Sequence, residues 1–167
     1  MRIGSHASSF MRDCLLNFAL SAPILPARFR ARAIFLLSHH VIGQNVRMNP
    51  QIFLGSWRGL TVGDDTFINY GCFFDLSAPT KIGSRCDIGY QAMFITATHD
   101  HGSSTRRAGR ANSAPIVVED GTWIGARAVI MPGVTVAAGC IIGAGSIVVK
   151  STQPHGTYVG APARRLS

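Results

Sequence analysis

The chain is short of acid and almost without lysine. Its 167 residues carry eight Asp plus Glu against sixteen Lys plus Arg, and only Lys81 and Lys150 of the sixteen are lysine. The formal net charge is +8. An arginine surplus favours a polyanionic partner: a nucleotide-bearing cofactor, nucleic acid or an anionic surface. The arginines are dispersed, with no strip of alternating basic and aromatic residues, which argues against nucleic acid. Charged residues make up 14% of the chain, a low share that fits surface buried between stacked coils or subunits. No apolar run is long enough to span a membrane. The N-terminus lacks a continuous apolar stretch ending in a small-residue cleavage site, so no secretory signal is read and the cytoplasm is the default location. No CxxC pair occurs, and the four cysteines are not spaced with histidines as metal ligands.

What is present is a period. Val118, Ile124, Ile130, Val136, Ile142 and Val148 recur every six residues. Four residues after each of the first five stand Thr122, Ala128, Val134, Cys140 and Ser146, all small or β-branched. Six matches neither a helical turn nor simple strand alternation. It matches a solenoid in which a short strand and a corner repeat, and six-residue repeats are a β-helix signature. The aliphatic residue points into a narrow prism and the small one fits beside it. Cys72, Cys86 and Cys140 occupy the small position, which makes them apolar fillers in a reducing compartment.

The ladder extends back to Ile42, through Met48 and Leu54, then Val62, Ile68 and Phe74, then Ile82, Ile88 and Phe94. Two residues are added at the corners near Ser56–Gly59 and Leu76–Pro79. Glycines follow the ladder residue at Gly43, Gly63, Gly83, Gly89, Gly125 and Gly143. Tight corners with positive φ are expected there. Between Phe94 and Val118 the ladder stops, and the polar, glycine-bearing stretch near 97–115 reads as a loop extruded from the solenoid. Loops on a rigid scaffold commonly carry binding and catalysis.

Residues from about 5 to 38 read as helical, with Phe10, Cys14, Leu15 and Phe18 on one face and a second helix over Ala27 to Leu37. That helix carries Arg28, Arg30 and Arg32 among Phe29, Ile34 and Phe35. It suits a membrane surface, but an open solenoid end needs a cap, and the cap is the preferred reading. The expected organisation is a helical cap segment over 1–40 and a solenoid domain over 41–167, with a tail over 150–167.

The runs Trp123-Ile124-Gly125-Ala126, Met131-Pro132-Gly133-Val134-Thr135, Ile142-Gly143-Ala144-Gly145-Ser146 and Gly160-Ala161-Pro162-Ala163-Arg164 together resemble the hexapeptide-repeat acyltransferases over about residues 40 to 167. The similarity is greatest to the branch of maltose and galactoside, nodulation-factor and polysaccharide O-acetyltransferases. It implies an all-β fold, a left-handed parallel β-helix solenoid with a short N-terminal helical segment and an extruded loop. It also implies a homotrimer with sites between subunits, acetyl-CoA as acyl donor, and no metal.

Within that resemblance, Asn69 and His99 match the acceptor-site pair. The family's histidine takes the proton from the acceptor hydroxyl, which attacks the thioester directly without an acyl-enzyme. A base titrating near neutrality suits a weak hydroxyl nucleophile. Asp100 is placed to orient His99, with His101 competing for it. CoA-contact positions match Trp123, Ala126, Ala144, Val149 and Lys150, with Arg164 or Arg165 near the adenosine phosphates, where an arginine fork suits phosphate. Val149 departs from the Thr common at its position.

Asp75, six residues after Asn69, is expected on the same corner of the next rung and is a candidate acceptor contact. The extruded loop lacks the acid of the maltose and galactoside enzymes. Its Arg106, Arg107 and Arg110 fit either an anionic acceptor or assistance to CoA, which turns the expectation from a simple disaccharide to a sugar, glycan or other hydroxylated small molecule. Two other classes fit parts of this pattern. A γ-type carbonic anhydrase shares the solenoid but needs three histidines around zinc. A basic β-helix could also be a non-enzymatic binding module.

Overall fold

The computed structural model describes residues 3–166; residues 1–2 and 167, the outer ends of the two expected segments, lie outside it. Short parallel strands stack into three sheets that form the faces of a triangular prism. The first face runs through His39–Ile42, Arg58–Val62, Thr80–Ile82, Ile116–Val118 and Thr135–Val136. The second runs from Arg47–Met48 through Trp123–Ile124 to Thr157–Gly160, with Ala163–Arg165 folding back on it antiparallel. The third runs from Phe53–Leu54 to Ile147–Val148. This is a parallel β-helix, as the period demands. The ladder residues point inward: Ile68, Phe74, Ile82, Phe94, Val118, Ile124, Ile130, Val136 and Ile142 are fully buried. The small position lies inside too, with Thr122, Ala128, Cys140 and Ser146 closed off from solvent.

Register fixes the coil length. Arg47 pairs with Phe67, and Phe67 with Asp87, so the first coils take twenty residues. Trp123 pairs with Ile141, an eighteen-residue coil. The two extra residues sit at the corner between the third and first faces, where the sequence stretches. Met93 pairs with Val129, thirty-six residues on, so one coil carries an eighteen-residue insertion at that same corner. Phe74 and Phe94 stack inside at 4.7 Å, and Phe53 and Phe73 stack outside at the same distance.

The corner glycines correct the expectation of positive φ. Gly43, Gly63, Gly83, Gly89, Gly125 and Gly143 lie outside the left-handed region; positive φ falls two positions later, at Asn45, Asp65, Arg85, Gln91, Arg127 and Gly145. The glycines are required by stacking instead. A Cβ on Gly89 would stand 2.6 Å from the Ala126 backbone nitrogen, and one on Gly125 would stand 2.5 Å from that of Ala144.

The N-terminal segment closes the open end. Helix α1 (Ile3–Arg12) continues as a π-helical stretch, Asp13–Ala19, and α2 spans Ala27–Leu37. Edge groups of the first coil find partners here. The Asn17 amide donates to the Leu54 carbonyl and accepts from its N–H, and Ser21 Oγ donates to the Ile52 carbonyl. Arg30 is fully buried and donates to the carbonyls of Leu20, Met48, Ala22 and Leu25. Leu16 and Leu20 face inward, whereas Phe10, Cys14 and Phe18 stay exposed. No helix among the described residues is long and apolar enough to cross a membrane.

Candidate active site

The insertion is an antiparallel hairpin, Ala97–His101 paired with Ala108–Ser113. Its stem is clamped by Asp75. One carboxylate oxygen accepts from the Thr96 and Ala97 N–H groups and from Thr96 Oγ1, and the other accepts from Ser77 Oγ. Burial pushes this carboxyl up, but those four donors outweigh it and hold its pKa below the ordinary value. Asp75 does not share a corner with Asn69 as expected. Six residues move the chain along one face of the prism; a full coil returns to the same corner. The residue one coil from Asn69 is Asn49, whose Nδ2 donates to Asn69 Oδ1 at 3.1 Å.

His99 lies on the first hairpin strand opposite Ala111, exposed to solvent. Asp100 does not orient it: Arg110 Nε lies 3.3 Å from Asp100 Oδ2, across the hairpin. Arg106 and Arg107 sit at the exposed tip, where Arg107 reaches the Gly102 carbonyl at 3.4 Å. Asn69 stands elsewhere, at the corner between the second and third faces. Within one chain these two residues therefore leave from different corners, and no hydrogen bond joins them among the described residues.

That second corner carries a cleft of about 410 Å³ lined by Asn69, Tyr90, Trp123, Gly125, Ala126, Ile141, Gly143 and Ala144 among others. Four sequence-predicted residues, Asn69, Trp123, Ala126 and Ala144, are brought together there from three of four consecutive coils, and Tyr90 comes from the fourth. Tyr70 N–H and Asn49 both take Asn69 Oδ1, which leaves its Nδ2 as a donor. Tyr90 was not foreseen. Its register explains it: Gly89 stacks on Gly125 and that on Gly143, so Tyr90 lies in column with Ala126 and Ala144. Tyr70 stacks beneath it at 6.0 Å. The column of rings gives way to methyl groups, and that step is the cleft. Reading by coil rather than by six would have shown it.

A second cleft, of about 320 Å³, is lined by Val148, Lys150, Ser151, Tyr158, Ala163, Arg164 and Arg165. It gathers the three predicted basic residues at the last coil. Val149 is exposed beside it and lines neither cleft. Among the described residues of this one chain, no group of three His, Cys, Asp or Glu could hold a metal ion.

Comparison with known proteins agrees with this scaffold. The family model described as Bacterial transferase hexapeptide (six repeats) matches residues 115–150. A hexapeptide-repeat containing acetyltransferase of Vibrio cholerae superposes with a TM-score of 0.88 at 30% identity, covering 99% of this chain and 93% of that one. Its complex with acetyl coenzyme A superposes at 0.87. Galactoside O-acetyltransferase of Escherichia coli K12 is 28% identical over 123 residues, 74% of this chain and 61% of that protein. A candidate acetyltransferase of Schizosaccharomyces pombe is 37% identical over 104 residues, 62% of this chain and 50% of that protein. The matched stretch thus spans about half the length of such curated relatives. Fold, repeat and these likenesses define the class, a hexapeptide-repeat solenoid. The chain belongs to the hexapeptide-repeat acyltransferase family.

Proposed function

We propose that the protein is an acetyl-CoA-dependent O-acetyltransferase acting on a hydroxyl of a sugar, glycan or other hydroxylated small molecule. The observation that carries this reading is the cleft that unites Asn69, Trp123, Ala126 and Ala144. A relative of the same fold binds acetyl coenzyme A, and a sequence relative is a galactoside O-acetyltransferase. The pantetheine arm lies along the small side chains of the first cleft. Lys150, Arg164 and Arg165 in the second cleft take the phosphates of the nucleotide end, with the exposed Val149 beside them.

His99 Nε2 or Nδ1 removes the acceptor hydroxyl proton as the oxygen attacks the thioester carbonyl. The tetrahedral oxyanion collapses, the C–S bond breaks, and the CoA thiolate takes the proton back from the imidazolium. No covalent enzyme intermediate forms. Asn69 Nδ2 is one side-chain donor available at the cleft. Because His99 projects on a solvent-exposed hairpin from a different corner, its cleft belongs to a neighbouring copy, and the working form is a homotrimer with sites between subunits. Arg106 and Arg107 at the hairpin tip face the acceptor or the cofactor of that shared site. Four free cysteines, three of them buried, suit the cytoplasm.

The test is thiol release from acetyl-CoA across a panel of sugars, glycans and nucleosides. His99→Ala is expected to lower kcat by about 10²–10⁴-fold with acetyl-CoA binding intact by calorimetry. Unchanged turnover in His99→Ala would remove that histidine from the chemistry, and release with no acceptor in the panel would reject the acceptor class.

A further inference from the structure

Arg28, Arg30 and Arg32 alternate along α2, and the structure separates them. Arg30 is locked inside by its four carbonyls, with Ala31 and Ile34 buried beside it. This fixes how α2 is rolled on the solenoid. Arg28 and Arg32, one turn apart, are thereby held outward, with no carboxylate partner among the described residues. Around them, Phe29 is 68% exposed, Leu36 63% and Phe35 48%, and Ile24, just before the helix, is 83% exposed. Arg28, Arg32 and Phe35 also line an open cavity of about 510 Å³ with Gln44 and Asn45. Its one carboxylate, Asp64, accepts from the Gln44 N–H.

We propose that the outward face of α2 docks the protein on an anionic phospholipid surface, with lipid phosphates at Arg28 and Arg32 and with Phe29, Phe35 and Leu36 entering the headgroup–acyl boundary. Large apolar side chains interleaved with arginines on one helical face are the pattern of a helix lying in the membrane interface. Exposed apolar surface of this kind marks an interaction site. Charge selects the occupant. The only acid before Asp64 is Asp13, which is paired with Arg12 at 2.8 Å. A second copy seated on this face would set Arg28 and Arg32 against their equals with no acid of α2 to answer them. Anionic headgroups answer both. The helix is too short to span a bilayer, so it lies on the surface. The cap reading and the membrane reading thus apply to opposite sides of one helix.

The experiment is flotation of the full chain with phosphatidylcholine vesicles, with and without roughly 30% phosphatidylglycerol, whose anionic headgroups attract basic side chains. Binding is expected only to the anionic vesicles. Arg28→Glu/Arg32→Glu should weaken it by about tenfold or more. Phe29→Ser/Leu36→Ser should weaken it as well, with mass by light scattering, melting temperature and thiol release with a soluble acceptor all unchanged. Absence of flotation, equal binding to neutral vesicles, or binding unaltered in both variants overturns the proposal. A fall in mass for Phe29→Ser/Leu36→Ser also overturns it and names a second copy as the occupant. Thiol release is read separately, so failure of lipid binding leaves the acetyl-transfer reading standing on its own test.

Discussion

At the scale of single residues, identical amino acids serve opposite needs. Gly125 has no room for a methyl group, because its Cβ would meet the next coil's backbone at 2.5 Å, whereas Gly145 has open space but φ of +69°. Gly125→Ala must therefore spread two coils, and Gly145→Ala only strains one residue. The expected costs are about 3 kcal/mol or more for the first and about 1–2 kcal/mol for the second, read from urea midpoints. His40 shows what the prism does to a titratable group. It is buried, its Nδ1 accepts the Leu60 N–H at 3.2 Å, and burial lowers its pKa to about 4 despite the opposing Ser56 carbonyl. The unfolded chain, with a histidine near 6.5, binds the proton first, so stability falls as pH drops from about 6.5 towards 4. A loss of about 2 kcal/mol between pH 7 and pH 5 is expected in urea unfolding. His40→Gln, which keeps an acceptor for Leu60, should flatten that slope. Asp75 acts in a separate window. Its lowered pKa contributes stability above the ordinary carboxylate range, and that is lost only in stronger acid.

At the scale of elements, legibility followed the number of faces an element buries. The ladder was readable because each strand commits one side chain to the prism every six residues. α2 was readable over Ala27–Leu37 from its composition and flanking proline. In the first helical segment Phe10, Cys14 and Phe18 are all exposed, Leu15 packs partly on the core, and Leu16 and Leu20, in and just after the π-helical stretch, are buried. The hairpin was legible only as an interruption. Its strands bury nothing in the single chain, so no alternation of apolar and polar residues announced them. Six-residue spacing puts Asp75 on the wrong corner, because only a full coil returns to the corner of Asn69. The cap depends on Arg30 above all. Arg30→Met would strand four carbonyls and leave the methionine no donor, so a loss of about 3–5 kcal/mol is expected. The measurement is urea unfolding alongside helical circular dichroism, with loss of α2 signal before the solenoid.

At the scale of the whole molecule, the matter is where a complete site exists. The sequence could name Asn69, His99 and the cofactor positions through resemblance, but spacing along one chain says nothing about contacts between copies. The structure sharpens this. It gathers Asn69 with Trp123, Ala126 and Ala144 in one cleft and Lys150, Arg164 and Arg165 in another. It leaves His99 on a hairpin from another corner. A shared site follows if the chemistry is acetyl transfer with His99 as base. The most direct measurement is complementation. His99→Ala removes the base, and Ala144→Trp, at an exposed position, plugs the cleft. Each variant alone should be nearly inactive in acceptor-dependent thiol release. Unfolded together and refolded in equal amounts into mixed copies of the proposed trimer, they should recover about one quarter of wild-type activity, because each interface pairs an intact histidine with an intact cleft about one time in four. No recovery from two well-folded, co-assembled variants would contradict the shared site.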